Sequence, residues 1–431
     1  MGCGPDQTAQ VYIDGTEYTG EAVQGSWTPR LNRPAQAQVR MNMEIDAGDC
    51  GSLLMITLDD DEIVFHGPIL NTETDTDKDG GSTIYNATDH MELWNYRPVR
   101  ADDGDFSKPV GSGETDGGDL IATYQTAPEI FAAVLRNTVD TTAGGGGGPP
   151  VDAEGEIFLD PVNSATGGVN IPGAPVDWPM TIGDFFSLLV STGQLDGVIT
   201  YTNPGGGVTG QLDLYNGDYG TDLSSSVIFE YGQGGYSAQS LRWNRDMTTT
   251  INKYWIYGGP RVETAADPAG DQHWCFNVQG FDSGLPYPPG GQSVNVDNTP
   301  HITANNQLGE RIYASRQQYG VRMKIDIYDA YDEDCIRGFG TPGRMLYRYQ
   351  WIVYSWLAAT PREIIHVTPT DDTYIGCFGI GDIVGVAANS LVKGGFSGAQ
   401  RVYEYTVSWE ATPSILTLSE IQTSADAEGM A

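Results

Sequence analysis

An acidic segment near position 80 has the residue types and spacing that could bind calcium. Asp75, Asp77 and Asp79 alternate with other residues and are followed by Gly80, as in the first half of an EF-hand loop. The twelfth position of such a loop holds a bidentate Glu, whereas this chain has Asn86 there and strand-like patterns on both sides. We therefore predict a solvated hairpin tip and leave open whether the three aspartates bind a cation.

The other carboxylates do not mark a site. Residues 59–62 form a second acidic run, which could hold a cation by charge alone but is typical of a solvated turn. Paired carboxylates hydrolyse glycosidic bonds, yet among 57 Asp and Glu residues any one pair is uninformative. Carbohydrate hydrolysis therefore stays open, without candidate residues.

Other catalytic motifs are absent from the sequence. It contains no HExxH, Gly-x-Ser-x-Gly or Walker motif, and the glycine run 144–148 lacks the Lys-Ser/Thr of a phosphate-binding loop. The five histidines (66, 90, 273, 301 and 366) do not stand at metal-ligand spacing, and we interpret His366 as a strand residue with a local partner. We assign no catalytic, cofactor-binding or metal-binding residue, expect no cofactor, and predict that the chain is not an enzyme.

The charge of the chain is strongly negative. Twenty-two Lys and Arg residues oppose 57 Asp and Glu residues, which gives a formal net charge of −35. Such a surface should repel DNA and anionic membranes, because binding a polyanion requires cationic groups. The excess of Asp over Lys favours a salt-loving host, and loop solubility is the competing explanation.

Cysteine usage and hydropathy indicate the cellular setting. The five cysteines are far apart and show no CxxC pair, so we interpret them as mostly reduced structural thiols. No apolar run approaches the ~18 residues of a membrane span, and the N-terminus lacks a signal-peptide core. We expect a soluble protein made inside a cell, without membrane insertion.

One predicted helix could contact a partner. Residues 342–359 carry apolar side chains at helical spacing between Pro342 and Pro361. Tyr347, Trp351 and Tyr354 lie partly off this stripe. These aromatic side chains are candidates for a docking surface.

Short strands joined by turns account for most of the remaining pattern. In the segment 379–423, Tyr403, Tyr405, Val407 and Trp409 fall on one face, the period-two alternation of a half-buried strand. The first hundred residues hold six such strands with acidic turns near residues 59–62 and 75–81, and helices are predicted over 127–137 and 181–192.

The predicted fold class is mainly β with α+β inserts. It has two small antiparallel β-barrels, the second interrupted by an insert. The predicted domains are a first barrel over residues 1–100, an α+β insert over 101–224, a second barrel from 225–262 and 362–425, and an irregular insert over 263–361 that ends in the long helix.

Several short segments, taken in order, resemble one family, the tail-hub (baseplate-hub) proteins of long-tailed bacterial and archaeal viruses. The segments are Trp27, Leu31 and Arg33-Pro34-Ala35; residues 64–69; residues 85–89 with Leu93-Trp94 and Arg97-Pro98; residues 181–189; residues 229–232; residues 248–252 before Gly258-Gly259; and Gly381-Asp382 with Arg401-Val402-Tyr403. Together they span most of the chain.

The resemblance implies a homotrimer in the virion. Each subunit would supply two similar barrels, so that a pseudo-sixfold ring adapts a sixfold tail tube to a threefold tip and surrounds the DNA exit channel. Asn252 and Gly381 would lie near the points where the second barrel is entered and left. The implied partners are the tail tube or distal tail protein and the tip or fibre proteins. DNA would pass without specific binding, and assembly would occur in the host cytoplasm.

Two other classes remain open from the residues alone. A carbohydrate-binding or carbohydrate-hydrolysing β-rich module would place exposed Trp and Tyr beside a carboxylate pair. An acidic secreted β-protein held together by calcium would melt earlier when the ion is chelated.

Overall fold

The described part of the chain is mostly β-structure. The computed structural model describes residues 7–42, 48–58, 62–77, 80–99, 125–138, 160–163, 170–171, 180–191, 193–202, 208–231, 236–248, 250, 253–258, 260–261, 273–274, 317–320, 322–328, 362–370, 375–388, 396–410, 413 and 416–424. Their strands form one sheet of 13 strands and four smaller sheets. The predicted mainly β fold class with α+β inserts is confirmed.

The first β half is an antiparallel sheet in the spatial order β2-β1-β5-β6-β7-β4-β3. Its strands are β1 (Gln10–Ile13), β2 (Thr16–Glu17), β3 (Ala22–Thr28), β4 (Gln36–Met41), β5 (Leu53–Leu58), β6 (Glu62–Asp77) and β7 (Gly80–Thr88). In β4, Ala37, Val39 and Met41 are buried and the residues between them are exposed, so the sequence alternation sets the inward face. Among the described residues no strand pairing joins β1 or β2 to β3, so this half is an open sheet and not the closed barrel predicted for residues 1–100.

Strand β6 is longer than predicted. The sequence indicates separate strands before and after Gly67-Pro68, but β6 runs through them and exchanges partners, with Leu53 of β5 opposite Pro68 and Ala87 of β7 opposite Ile69. An irregularity between Ile69 and Asn71 accompanies the exchange. Proline lacks the backbone N–H of a central strand, but it is tolerated where one ladder ends and another begins.

The insert follows a 3-10 helix, His90–Tyr96, and packs two α-helices against a small sheet. Its elements are β8 (Gln125–Thr126), α1 (Ala127–Thr138), β9 (Asp160–Asn163), β10 (Asn170–Ile171), α2 (Ile182–Val190), β11 (Asp196–Thr202) and β12 (Thr209–Tyr215). Thr181 and Asp184 form a capping box at the start of α2. Trp94 stacks edge-on against Phe131 and Phe186 at centroid distances of 5.3 and 5.2 Å. Both predicted helices of this region are confirmed.

The second β half contains a ring of six strands. The strands from this part of the chain are β13 (Ile228–Tyr231), β14 (Tyr236–Asp246), β15 (Lys253–Gly258), β16 (Pro260–Arg261), β17 (His273–Trp274), β18 (Met323–Tyr328), β19 (Arg362–Pro369), β20 (Ile383–Ala388), β21 (Phe396–Glu410) and β22 (Leu416–Ser424). The pairings run β21-β20-β13-β14-β19-β22 and return to β21, so each strand of the ring has two neighbours. The ring is mixed, because β13 is parallel to both β20 and β14.

The two halves share one hydrophobic core. Strand β3 of the first half pairs with β21 of the ring, which makes the 13-stranded sheet continuous. The buried cluster extends from Val11 of β1 to Ile421 of β22. The small pairs β15–β18 and β16–β17 lie outside this sheet.

Several sequence predictions fall on residues outside the described ranges. They concern residues 59–61, Asp79, the glycine run 144–148, Asn252 and the helix over 342–359. Among the described helices none is long and apolar enough to cross a membrane. Cys50 is a free, exposed thiol and Cys377 is disulfide-bonded. The other three cysteines lie outside the described residues, so the expectation of mostly reduced thiols stays a prediction.

Candidate functional site

The seam between β3 and β21 fastens the two halves together. The strands pair antiparallel with Trp27 opposite Val407, and Trp27 and Trp409 lie with ring centroids 6.3 Å apart. The indole N–H of Trp409 donates to the carbonyl of Ala22 at 3.3 Å. Gly25 lies against the Trp409 ring so closely that a Cβ there would overlap it. The seam therefore depends on two large side chains and on one position without a side chain.

Arg401 of β21 joins the ring to the insert at one end of this seam. Its Nη2 donates to Asp196 Oδ2 of β11 and to the carbonyl of Tyr219, each at 2.6 Å. Its Nε donates to the carbonyl of Gly381 at 3.2 Å and its Nη1 to that of Gly217 at 3.3 Å. Arg401 is 7% exposed and Asp196 1%, so the charges are satisfied by each other and by backbone carbonyls rather than by water.

Asn32 brings the first half into the same cluster. Its Nδ2 donates to Asp196 Oδ1 at 2.8 Å and its Oδ1 accepts from the backbone N–H of Gly197 at 2.8 Å. The backbone of Asn32 has a φ of 61°, a left-handed conformation that Asn adopts more readily than most residues. Beside it, Leu31, Val198 and Tyr403 form a small buried apolar cluster. We call Asn32, Asp196, Tyr219, Gly381 and Arg401 the junction cluster.

Gly381 and Asp382 form a turn that places the carbonyl of Gly381 within hydrogen-bond distance of Arg401. Gly381 has a φ of 82° and contacts Tyr219, so that a side chain would be strained and would collide there. Asp382 accepts hydrogen bonds from the backbone N–H groups of Thr221 and Gly379, both at 2.7 Å. A carboxylate with two backbone donors fixes the turn between the insert and β20.

The segments that carry the family resemblance meet each other in the structure. Leu31 donates its backbone N–H to the carbonyl of Tyr403 at 2.8 Å, and Ala35 donates its own to Asp89 Oδ2 at 2.8 Å. Gly67 packs against the backbone of Thr88 without room for a Cβ. The contact of Leu31 with Tyr403 joins the two halves, and the other two contacts lie within the first half.

A histidine pair that the sequence reasoning missed lies at a second contact with the insert. Nδ1 of His66 on β6 is 3.2 Å from Nε2 of His90 in the 3-10 helix. The Tyr201 ring of β11 lies beside them, and its hydroxyl is buried near the backbone of His90. The two histidines are 24 residues apart in sequence, and only the pairing of β6 with β7 brings them together.

Asp89 caps the 3-10 helix beside this pair. Its Oδ1 accepts from the backbone N–H of Met91 at 2.9 Å, and its Oδ2 from that of Ala35. Burial raises the pKa of Asp89 to about 7, although the two backbone donors lower it. The nearby charge of Glu92 also raises the pKa of Asp89, and that of Arg30 lowers it. The geometry of Asp89 is that of a structural cap.

Of the residues predicted as cation candidates, Glu62, Asp75 and Asp77 lie within the described ranges, so cation binding by the acidic segments stays a prediction. Asp75 lies opposite Ser82, and Asp77 lies opposite Gly80, in the ladder of β6 and β7. Among the described residues no group of three or more His, Cys, Asp or Glu could hold a metal ion. His366 lies in β19 with Nδ1 2.7 Å from Glu420, which confirms the predicted strand residue with a local partner.

Comparison with known proteins gives a likeness of fold. No family model and no curated protein matches the sequence. The solved structure of a tail protein from Neisseria meningitidis MC58 is similar over 98% of this chain and 97% of its own, with a TM-score of 0.51 and 10% identity. A 43 kDa tail protein of prophage MuSo2 from Shewanella oneidensis is similar over 96% and 97%, with a TM-score of 0.50 and 10% identity. The fold of this chain is therefore that of these tail proteins across nearly its whole length.

Proposed function

We propose that this protein is a structural component of a virus tail and acts as a hub at the tail tip. The observation that carries the proposal is the likeness of fold to two tail proteins, which extends over nearly the full length of all three chains. A fold shared by one domain would say little about function. A likeness over nearly the whole of each chain is more specific.

The junction cluster fits a load-transmitting part rather than an active site. Its charged groups are buried and paired, and they connect the first half, the insert and the ring through Asn32, Asp196 and Arg401. Because these groups already form hydrogen bonds and an ion pair with each other, they offer no donor or acceptor to a substrate. Their effect is to hold three parts in one fixed arrangement.

We further propose that three copies form a ring around the DNA exit channel. Each subunit would contribute its first β half and its six-stranded ring, so that six similar units face a sixfold tube while the tip has threefold symmetry. The net charge of −35 supports a channel wall that repels phosphate and lets DNA slide without sticking. The proposed partners are the distal tail or tube protein and the tip or fibre proteins. For the domains of this hub we propose the limits predicted from the sequence.

Labelling of virions tests the location. Antibodies against the recombinant chain, detected with gold particles, should mark the distal end of the tail in electron micrographs of purified virions. Mass spectrometry of the same virions should find the chain. Intact tails without the chain would contradict the proposal, and label along the tube would contradict the tip location.

Light scattering tests the ring separately. At low and at molar salt, the expected mass is three times that of the 46.5 kDa chain, and stained particles should show threefold rings with a central hole. A monomer at every concentration would contradict a free trimer. Binding of the chain to the ends of purified tail tubes would then decide whether the ring forms only on the tube.

A carbohydrate-binding role has no specific support in the described residues. Tyr96 is the exposed aromatic side chain among them, and its hydroxyl donates to the single carboxylate of Glu92 at 3.3 Å. The expected platform of Trp and Tyr beside a carboxylate pair is not present in this part of the chain. A glycan array on the purified chain is the direct test.

A further inference from the structure

Three aromatic rings from separate parts of the sequence meet where the insert touches the first β half. His66 comes from β6, His90 from the 3-10 helix, and Tyr201 from β11 of the insert. The Tyr201 ring centroid is 5.4 Å from that of His66 and 6.4 Å from that of His90, and the two imidazole centroids are 5.3 Å apart. The cluster is therefore part of the contact between the two bodies and not of either interior alone.

The hydrogen bond between the two imidazoles depends on how many protons the pair carries. One ring must donate and the other must accept in the 3.2 Å hydrogen bond, which two neutral rings can do. When the pair takes up one proton, one ring can still donate and the other can still accept. The added positive charge, however, lies in a buried environment, since His66 is only 8% exposed. A second proton removes the acceptor and sets two cations against each other.

Compensating charge is scarce around the pair. The neighbouring carboxyl, Asp89, is engaged by the backbone N–H groups of Ala35 and Met91, both in the first half. It acts electrostatically on Tyr201 of β11 but is not paired with either imidazole. Arg30 and Glu92 are the charged groups that act on Asp89 in turn. Within the described residues neither histidine has an acidic partner that would stabilise its cation.

We propose that this His66–His90–Tyr201 cluster is a proton-operated latch that holds β11 of the insert against β6 of the first half while both imidazoles are neutral. Taking up protons loosens the latch, because the charged rings are better accommodated in water than in the contact. The fixed contacts of the junction cluster remain, so the loosening is local to this side of the insert.

The direction and size of the pH effect on the closed state follow from the pKa values of the two histidines. Burial, with a smaller contribution from His90, lowers the pKa of His66 to about 4, and burial also lowers the pKa of His90. A ring released to water titrates near 6.5, so the closed state is fully favoured above pH 6.5 and loses stability as pH falls toward 4. Between pH 7.5 and 4.5, His66 alone should shift the equilibrium roughly 70-fold toward the open state.

Hydrogen exchange on a matched pair of proteins tests the latch. The control is the double variant His66→Asn, His90→Gln, which places amide groups near the positions of the two bonded nitrogens and does not titrate. Intrinsic exchange rates and the titration of Asp89 affect both proteins, so they cancel in the ratio of protection factors. For residues 199–202, which lie beyond the fixed contacts of Asp196, Gly197 and Val198, the ratio of wild type to variant should fall roughly 70-fold between pH 7.5 and 4.5.

An unchanged ratio would overturn the proposal. Residues 416–424 of β22 lie away from the latch and should show a constant ratio. If the double variant does not fold, the wild type carries the test alone, with carbon-13-labelled histidine in a nuclear magnetic resonance titration. The signals of His66 and His90 should titrate below pH 6.5 together with the opening of residues 199–202, and titration near 6.5 without opening would refute the latch.

Discussion

Among individual residues, Arg401 contacts three other segments of the chain, at Asp196, at Gly217 and Tyr219, and at Gly381. It reaches a carboxylate of β11 and three backbone carbonyls, including those of Tyr219 and Gly381. Removing one partner of a buried ion pair leaves the other charge desolvated and unpaired, which costs more than the pair contributes. The junction cluster is therefore sensitive to single changes.

Arg401→Ala should lower the free energy of unfolding by roughly 3–5 kcal/mol, because Asp196 would stay buried without a cation. The matched control is Arg30→Ala. Arg30 pairs with Glu404 at 3.1 Å, but the two side chains are 25% and 29% exposed, so the expected loss is at most about 1 kcal/mol. Chemical unfolding followed by circular dichroism measures both, and equal losses would contradict the role of the junction cluster.

Asp89 gives a prediction of opposite sign to that of the histidines. Its pKa is about 7 in the folded chain, above the 3.8 of an exposed Asp. Its protonated form is therefore favoured on folding, and the stability this contributes is complete below pH 3.8 and lost as pH rises through 7. Relative to Asp89→Asn, the wild type should lose stability between pH 5 and pH 8, by at most about 1.4 kcal/mol per pH unit. Thermal unfolding across this range measures the difference, and a constant difference would show that the carboxylate is ionised in the fold.

At the level of strands, the seam between β3 and β21 decides whether the halves stay joined. Gly25→Ala should disrupt it, because the added methyl group overlaps the Trp409 ring, and overpacking of this kind costs about 1–3 kcal/mol. Gly20→Ala is the control, since a Cβ at Gly20 meets nothing within 4 Å. Loss of the near-ultraviolet signal of the two tryptophans would report the disruption. Equal melting temperatures for the two variants would contradict the importance of the seam.

Local signals in the sequence predicted the elements but not their partners. The alternation from Tyr403 to Trp409 and the apolar spacing after Thr181 depend on neighbouring residues, so β21 and α2 were predictable. The continuity of β6 through Gly67-Pro68 depends on two different partner strands. The junction cluster unites residues as far apart as Asn32 and Arg401, and no local pattern marks Asp196 as the acid among 57 that is buried there.

The hairpin of β6 and β7 predicts that calcium has little effect on stability. Asp75 and Asp77 lie opposite Ser82 and Gly80 in a paired ladder, so the described part of this segment is extended strand and not an EF-hand loop. Adding calcium or a chelator should leave the melting temperature unchanged. Asp75→Asn is the matched variant and should behave like the wild type in both solutions. A chelator-dependent drop that Asp75→Asn abolishes would reveal a cation site at the hairpin.

For the whole molecule, the excess of acidic residues sets the dependence on salt. At −35 the folded chain repels itself, and this repulsion is larger in the compact state than in the expanded one. A three-copy ring would bring three such charges together. Stability and assembly should therefore both increase when ions screen the repulsion, and the acidic surface favours a salty environment for the same reason.

The melting temperature should rise as potassium chloride increases from low to molar concentration, because the screening length shrinks from about 30 Å to about 3 Å. Glu17, Asp75, Asp218 and Glu410 are exposed, so changing them to Gln or Asn removes repulsion without breaking a buried contact. The variant with all four substitutions should have a higher melting temperature than the wild type at low salt. Its melting temperature should rise less when salt is added. Sucrose stabilises proteins without screening and serves as the control solute. If salt and sucrose have the same effect on both proteins, charge repulsion does not limit stability. The acidity of the chain is then better explained by repulsion of the phosphates of DNA that passes through the proposed channel.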